Sequence, residues 1–177
     1  MSAERRDDFR IEALTRPCRS DIEQLAQVLV DCVEGGASVS FMHPLTLERA
    51  EAFWRKIAED AEEGNLVLIA ALDATGIVGT VQIILDLPEN QPHRAEVAKM
   101  LVHRRARRRG IGTALMRAVE VMAKALDKTL LVLDTASGDA DRLYLRLGWQ
   151  LVGAIPDFAL WPGGGFCDTR IYYRRLA

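Results

Sequence analysis

Cysteine is scarce in this sequence, and its three copies are far apart. Cys18, Cys32 and Cys167 are the only ones in 177 residues, and no two of them form a CxxC pair. A scattered, odd set is typical of reduced thiols in a cytoplasmic protein and argues against a disulfide scaffold. No set of His, Cys and Asp residues has the spacing of metal ligands. We therefore expect a cytoplasmic protein that needs no metal.

Long apolar runs are also absent. The longest, residues 66–72, is far shorter than the ~20 residues that a membrane span needs. The first residues, MSAERRDDF, lack the apolar stretch of a secretory signal. Hydrophobic residues make up 49% of the chain and charged residues 27%, which suits one globular domain with its own core. We expect a single domain over residues 1–177 with no membrane partner.

Positive charge is concentrated in one short segment. The net charge is −2, yet five arginines fall within six residues: Arg104, Arg105, Arg107, Arg108 and Arg109. Without those five, 25 acidic residues stand against 18 of the 23 basic ones. A mildly acidic body with one basic spot indicates a local anionic ligand rather than an extended polyanion. A nucleic-acid contact through this run is the least favoured alternative.

The hydrophobic periodicity changes along the chain. It predicts one helix from Ser20, where Glu23 completes a capping box, and a second helix from Thr46. Further on it predicts strands at 9–14, 66–72, 77–87, 95–102, 130–133, 150–153 and 169–174, helices at 110–126 and 139–147, and a loop at 156–165. Strands 95–102 and 130–133 flank a helix and should be parallel neighbours. The prediction is an α/β (α+β) fold with a mixed, largely antiparallel sheet and helices on both faces.

The segment with the clearest chemistry joins strand 95–102 to the next helix. Gly110 and Gly112 lie at this joint, directly after the arginines. The first turn of a helix has unpaired N–H groups and the positive end of a dipole, so such a joint can wrap a phosphate or pyrophosphate. Neither GxxxxGK[ST] nor GxGxxG occurs, which excludes a nucleotide P-loop and the dinucleotide fingerprint.

Two motifs resemble a known family. Residues 107–112, RRRGIG, fit the [Q/R]xxGx[G/A] signature of the GNAT-type N-acetyltransferases, and residues 140–149, ADRLYLRLGW, resemble the family's AxxLYxxxGF helix. More narrowly, Glu96 and the segments 156–160 and 168–173 resemble the tabtoxin-resistance acetyltransferases. The resemblance implies a GNAT-like fold with one splayed parallel strand pair, and acetyl-CoA as the acetyl donor.

The resemblance also implies where acetyl-CoA binds. It would lie in the gap between strands 95–102 and 130–134, with a backbone N–H near Leu101 facing the developing oxyanion. Ser137 stands where the family often has Asn, which weakens the contact expected there with the pantetheine arm. The implied cofactor-binding residues are Met100, Leu101, Val102, Arg107, Arg108, Arg109, Gly110, Ile111, Gly112, Thr113, Ser137 and Asp141.

Three residues are candidates for catalysis. The resemblance puts Tyr144 next to the CoA sulfur, as the acid for the leaving thiolate. The attacking amine must be neutral, and Glu96 is the first candidate to remove its proton, with Asp134 the second. Either carboxylate could instead hold a cationic substrate. Strict alternation puts Glu96 on the same strand face as Met100 and Val102.

These residues lead to one preferred function and several rivals. We expect acetyl-CoA-dependent acetylation of a small amine, such as an amino-acid-like toxin or antibiotic of the tabtoxinine-β-lactam type, by direct attack in a ternary complex. No cysteine lies in the cleft motifs, which argues against an acetyl-enzyme. A peptide or protein N-acetyltransferase and a non-catalytic CoA-binding module are the alternatives. The oligomeric state, with a homodimer as one option, is left open.

Overall fold

The computed structural model describes residues 8–136 and 138–176, so the predicted contact Ser137 lies outside the described residues. Within them, seven strands form one sheet in the order β1-β2-β3-β4-β5-β7-β6, and only β4 and β5 pair in parallel. The predicted fold class is confirmed. The elements are β1 (Phe9–Ala13), α1 (Arg19–Glu34), α2 (Leu47–Glu62), β2 (Leu66–Asp73), β3 (Gly76–Ile84), β4 (Arg94–Val102), a short 3₁₀ turn (Arg104–Ala106), α3 (Ile111–Ala125), β5 (Leu130–Thr135), α4 (Gly138–Arg146), β6 (Gln150–Leu160) and β7 (Phe166–Arg175).

The sheet carries helices on both faces, and each face has its own core. Helix α3 buries Ile111, Leu115 and Val119 against one face, which also receives Tyr144 from α4. Helices α1 and α2 cover the other face, with Trp54 fully buried between them and the sheet. We call these the α3 face and the α1 face. No helix within residues 8–136 and 138–176 combines the length and apolar character of a membrane span.

The first two helices begin with different caps. Helix α2 begins as predicted, because the Thr46 hydroxyl accepts a bond from the Arg49 amide at 3.3 Å. Helix α1 begins at Arg19, one residue earlier than predicted. Its cap is Cys18, whose amide donates to the Asp21 carboxylate at 2.8 Å. The predicted box from Ser20 to Glu23 is therefore wrong, because the carboxylate three residues after the real cap belongs to Asp21.

The predicted loop at 156–165 is also wrong over its first half. Strand β6 continues to Leu160, and only the turn before Phe166 is irregular. A bulge between Ile155 and Ala159 accommodates Pro156, the first residue of the predicted loop. Since β6 is the edge strand of the sheet, a proline there leaves no interior hydrogen bond unmade.

A bulge interrupts β4 at its centre. Leu101 and Ala98 pair with β3 residues that are only two apart, so Lys99 and Met100 both lie opposite Val81. Lys99 adopts a left-handed backbone conformation with φ of +50°. Such a bulge adds one residue to one strand and re-aims the side chains that follow it.

The bulge reverses the alternation of β4. Before it, Val97 packs on the α3 face; after it, Met100 and Val102 do so, while Leu101 joins the core of the α1 face. Glu96, next to Val97, therefore points to the α1 face. The prediction that Glu96 shares a face with Met100 and Val102 is wrong, because the extra residue shifts the two-residue period.

The parallel strands separate as expected. Only three residue pairs join β4 to β5, from Arg94–Leu130 to Glu96–Val132, although both strands continue beyond them. Each strand stays paired with its other neighbour, β4 with β3 up to Val102 and β5 with β7 up to Thr135, so the two strands diverge from each other. The result is a wedge-shaped gap in the sheet between the ends of β4 and β5.

Candidate active site

The N-terminus of α3 lies at the open end of this gap. Gly110 caps the helix with φ of +85°, and a Cβ at this position would meet nothing within 4 Å. The space in front of the helix is therefore open. The amides of Ile111, Gly112 and Thr113 form the first turn, where N–H groups have no partner within the helix. This arrangement fits an anionic group such as a pyrophosphate.

The side chains of this first turn connect α3 to its surroundings. Ile111 is buried in the core. A Cβ on Gly112 would lie 3.2 Å from Leu143 Cδ2, so this glycine lets α4 approach closely. Thr113 Oγ1 accepts a bond from Arg146 at 3.5 Å. Since the Ile111 side chain is buried and Gly112 has none, these two residues can contact a ligand only through their backbone atoms.

Acidic residues distant in sequence neutralise much of the arginine run. Arg104 pairs with Asp31 at 2.9 Å, while Arg105 and Arg109 reach the Asp73 carboxylate at 3.5 and 2.8 Å. Hydrogen bonds from the Thr75 turn lower the pKa of Asp73, against the opposing effect of burial, and Arg109 lowers it further. The guanidinium of Arg109 is thus held by carboxylates, although its role toward a cofactor stays a prediction.

Two arginines of the run are less engaged. Arg107 Nε donates to the Val102 carbonyl at 3.3 Å. Arg108 is exposed, has a φ of +62°, and forms no ion pair with any residue in the described ranges. These two side chains supply the uncompensated positive charge next to the α3 N-terminus.

The backbone of β4 presents Val102 to the gap. The His103 amide donates to the Val78 carbonyl of β3 at 2.9 Å, which fixes the alternation of the strand. The backbone groups of Leu101 consequently point toward β3, and those of Val102 point away from it. Of the predicted backbone contacts, Val102 therefore faces the gap and Leu101 does not, and a role of Val102 toward a cofactor stays a prediction.

Two adjoining cavities open at the gap. The larger, about 390 Å³, is lined by the chain between α1 and α2, the β4 bulge, the end of β5, and β6–β7. The smaller, about 250 Å³, lies between β4 and β5. Asp134 and Thr169 border both cavities, Glu96 borders the smaller one, and Tyr144 borders the larger one.

The structure brings the two predicted acids together. Because Glu96 is in register with Val132, and Asp134 follows two residues later, both carboxylates lie on the α1 face. Asp134 accepts a hydrogen bond from the Thr169 hydroxyl at 3.0 Å. Glu96 is paired with Arg94 at 2.9 Å. Among the residues that the structure describes, no guanidinium pairs with Asp134, whereas Arg94 pairs with Glu96.

Tyr144 approaches the gap from the opposite side, since it belongs to the core of the α3 face. It is 4% exposed and packs against Trp149 and Tyr172, with ring centroids 5.9 and 5.7 Å away. Burial raises the pKa of Tyr144 well above its usual range, and the charges of Asp134 and Asp141 add to this effect. The phenol keeps its proton at any pH at which the protein would work.

The Asp141 carboxylate anchors α4 to the sheet. It accepts bonds from Arg170 at 2.8 Å and from the Tyr172 hydroxyl at 2.9 Å. The predicted cofactor contact of Asp141 stays a prediction, and its carboxylate already has two partners. This network keeps Tyr144 at the border of the cleft.

The sequence reading missed Lys99 and Thr169. Lys99 lines the larger cavity, and Thr169 orients Asp134. A single lysine within the otherwise apolar run 97–102 was the available signal for Lys99, whereas nothing in the sequence pairs Thr169 with Asp134. Among the described residues, no group of three or more His, Cys, Asp or Glu side chains is arranged to hold a metal ion.

Comparison with known proteins adds a family match and fold neighbours. The model of the acetyltransferase (GNAT) family matches residues 24–149. A phosphinothricin acetyltransferase from Sinorhizobium meliloti in complex with acetyl-CoA has a TM-score of 0.78 and 19% identity, covering 96% of this chain and 89% of that one. A putative acetyltransferase from Salmonella typhimurium with its cofactor acetyl-CoA has a TM-score of 0.77 and 15% identity, covering 96% of this chain and 95% of that one. A ribosomal-protein-alanine N-acetyltransferase from Brucella melitensis has a TM-score of 0.76 and 20% identity, covering 94% of this chain and 99% of that one.

Proposed function

Because the chain belongs to the GNAT family of acetyltransferases, which use acetyl-CoA, we propose that it acetylates the amine of a small, amino-acid-like toxin or antibiotic of the tabtoxinine-β-lactam kind. The fold neighbour from Sinorhizobium meliloti, named for phosphinothricin, supports a small-molecule acceptor. Resistance to such a compound would be the biological result.

The observation that carries the proposal is a bridge across the acceptor side of the cleft. Ser38 Oγ donates to the Leu160 carbonyl at 3.1 Å, and the His43 amide donates to the Pro162 carbonyl at 2.9 Å. The chain between α1 and α2 is thereby tied to the β6–β7 hairpin. An extended peptide needs an open groove at this point, whereas a small amine fits beneath the bridge.

The chain has suitable groups to hold acetyl-CoA. The first-turn amides of α3, with Arg107 and Arg108, would hold its pyrophosphate, and the backbone of Val102 would pair with its pantetheine arm. Once bound, acetyl-CoA supplies an acetyl group activated as a thioester. The open space at Gly110 fits this assignment.

The proton of the acceptor goes to Asp134 in this proposal, directly or through water. The amine nitrogen then forms a bond to the acetyl carbon as the carbon–sulfur bond breaks, and the second proton that this nitrogen loses on becoming an amide passes through water to the departing thiolate. Thr169 holds Asp134 in position, and Glu96 is the alternative base. Tyr144 stabilises the departing thiolate by donating a hydrogen bond. Its raised pKa makes complete transfer of the phenol proton to the sulfur unfavourable.

Released thiol, measured with acetyl-CoA and a panel of small amines, tests the proposal. We expect Asp134→Asn to lower kcat roughly 10²–10³-fold at pH 7, with partial recovery as the pH rises and the amine loses its proton unaided. Glu96→Gln should cost less, and Glu89→Gln, on an exposed loop, should be neutral. Equal losses in the first two variants would contradict the assignment of the base.

The rival functions give different results in the same assay. Turnover of peptides in preference to small amines would indicate a peptide N-acetyltransferase, for which the Brucella melitensis neighbour is a fold-level precedent. Tight CoA binding without turnover of any amine, and unchanged by Tyr144→Phe, would indicate a non-catalytic CoA-binding module.

A further inference from the structure

Lys99 enters the larger cavity from a strained position. It occupies the β4 bulge with φ of +50°, a region that a lysine backbone rarely adopts. Its ammonium donates to Ser40 Oγ at 3.1 Å and lies 5.8 Å from the centre of the Phe53 ring. Strain of this kind persists where the surrounding structure imposes it, and it is frequent in binding sites.

Within the described part of the chain, the ammonium of Lys99 contacts no carboxylate. No carboxylate in the described parts of the chain lies within 4.0 Å of it. Burial lowers the pKa of Lys99, and the charge of Asp134 only partly offsets this effect. Removing an ammonium from water is costly unless a counter-charge is supplied.

The cavity has charges of both signs on its lining. Of the described residues that line it, Lys99 is the one cation, and Asp134 and Asp168 are the two carboxylates. Ser38 and Ser40 add hydroxyl groups from the chain between α1 and α2. A ligand that matches this lining carries a cationic group for the acids and an anionic group for the lysine.

We propose that Lys99, together with the Ser40 hydroxyl, binds the carboxylate of the acceptor. The acceptor is then zwitterionic, with its ammonium directed to Asp134 and its carboxylate to Lys99. This inference rests on the proposed function and narrows its substrate class to amino acids and their analogues with a free carboxylate. Lys99 acts in it as the residue that determines specificity.

Matched acceptor pairs test the role of Lys99. L-Phenylalanine and L-methionine would each be compared with the decarboxylated amine and with the methyl ester, using wild type, Lys99→Met and Lys99→Arg. We expect wild type to favour the free carboxylate at least 10-fold in kcat/KM. Lys99→Met should remove this preference by raising KM for the acceptors with a free carboxylate, and Lys99→Arg should retain part of it.

Controls separate a binding role from a structural one. Lys56→Met, on the exposed surface of α2, should behave as wild type. The acetyl-CoA affinity and the Tm of Lys99→Met should stay close to those of wild type. A carboxylate preference that survives in Lys99→Met, or wild type that favours the decarboxylated amines, overturns the inference.

A binding measurement keeps the inference separate from the proposed function. Acylation of Lys99 by acetic anhydride, followed by peptide mass spectrometry, should slow when 3-phenylpropionate, which has a carboxylate and no amine, is present. Phenethylamine at the same concentration should protect much less. Absence of turnover with every amine would overturn the proposed function, whereas equal labelling with and without 3-phenylpropionate would overturn the role of Lys99.

Discussion

The phenol of Tyr144 is buried and lies near two carboxylates, and both features raise its pKa. Its raised pKa means that the hydroxyl stays protonated far above pH 7. We expect Tyr144→Phe to lower kcat by roughly 10–10²-fold with little change in acetyl-CoA affinity, because the hydrogen bond to the leaving sulfur is lost. Steady-state kinetics and calorimetry with CoA would measure the two effects.

The pH dependence of wild type provides a second check on this residue. Since the phenol of Tyr144 does not ionise below pH 10, kcat should show no decline between pH 8 and pH 10 that Tyr144→Phe removes. A decline in that range that disappears in the variant would contradict the raised pKa.

Single residues show where reading the sequence reaches its limit. Asp134 could be predicted because it ends a strand next to the gap, but the Thr169 hydroxyl that orients it is 35 positions away. The arginine run suggested free positive charge, and Asp31 and Asp73 remove much of it. Partners so distant in sequence leave no periodic signal, so only the fold identifies them.

At the level of elements, the start of α3 makes the sharpest prediction. Gly110→Ala places a side chain at φ of +85° and should destabilise the protein by about 1–2 kcal/mol. It should also weaken acetyl-CoA binding, because the first-turn amides shift. Chemical denaturation and calorimetry would measure both effects. Gly163→Ala, at a turn with open space and no positive φ, is the matched control, and an equal loss there would contradict a special role for Gly110.

The ion pairs of Asp73 with Arg105 and Arg109 hold the segment that leads into α3. The pKa of Asp73 is lower in the folded protein than the ~3.9 of an unfolded chain. Its stabilising contribution is therefore complete above the unfolded value and is lost as the pH falls toward the folded one. We expect Asp73→Asn to be less stable than wild type at pH 7.

Urea denaturation at several pH values would test this contribution. The free energies of unfolding of wild type and Asp73→Asn should begin to converge below about pH 4 and should continue to converge as the pH falls toward 2. Two curves that stay parallel over this range would show that Asp73 contributes no ionised pair to stability.

The elements themselves were largely predictable, and their irregularities were not. The βαβ unit around α3 follows from apolar periodicity and the glycines at its joint, and it forms as predicted. The bulge at Lys99 could not be predicted from the sequence, because the residues around it are compatible with a regular strand as well as with a strand that contains one extra residue. The predicted strand 150–153 ends well before Leu160, because the pattern does not reveal that β6 is an edge strand, which can accommodate Pro156.

At the scale of the whole molecule, we expect bound acetyl-CoA to stabilise the folded protein by linking the two parts of the sheet. Strand β4 holds one side of the gap and β5 the other, with only three residue pairs joining them. A ligand present at 100 times its Kd stabilises the folded state by about 2.7 kcal/mol, or roughly 5–10 °C in Tm for a chain of this size. Differential scanning fluorimetry would measure the shift, and no shift at saturating acetyl-CoA would contradict the site.

The acids that line the cleft also affect how the product leaves. Converting an ammonium to an amide erases one positive charge, and the new amide nitrogen cannot pair with Asp134 as a cation does. Once Asp134 has released the proton it took up, Asp134 and Asp168 would face the anionic product expected from a zwitterionic acceptor, and this repulsion lowers the affinity for that product. Formation of the amide would therefore favour release of the product, so we expect product inhibition to be weak.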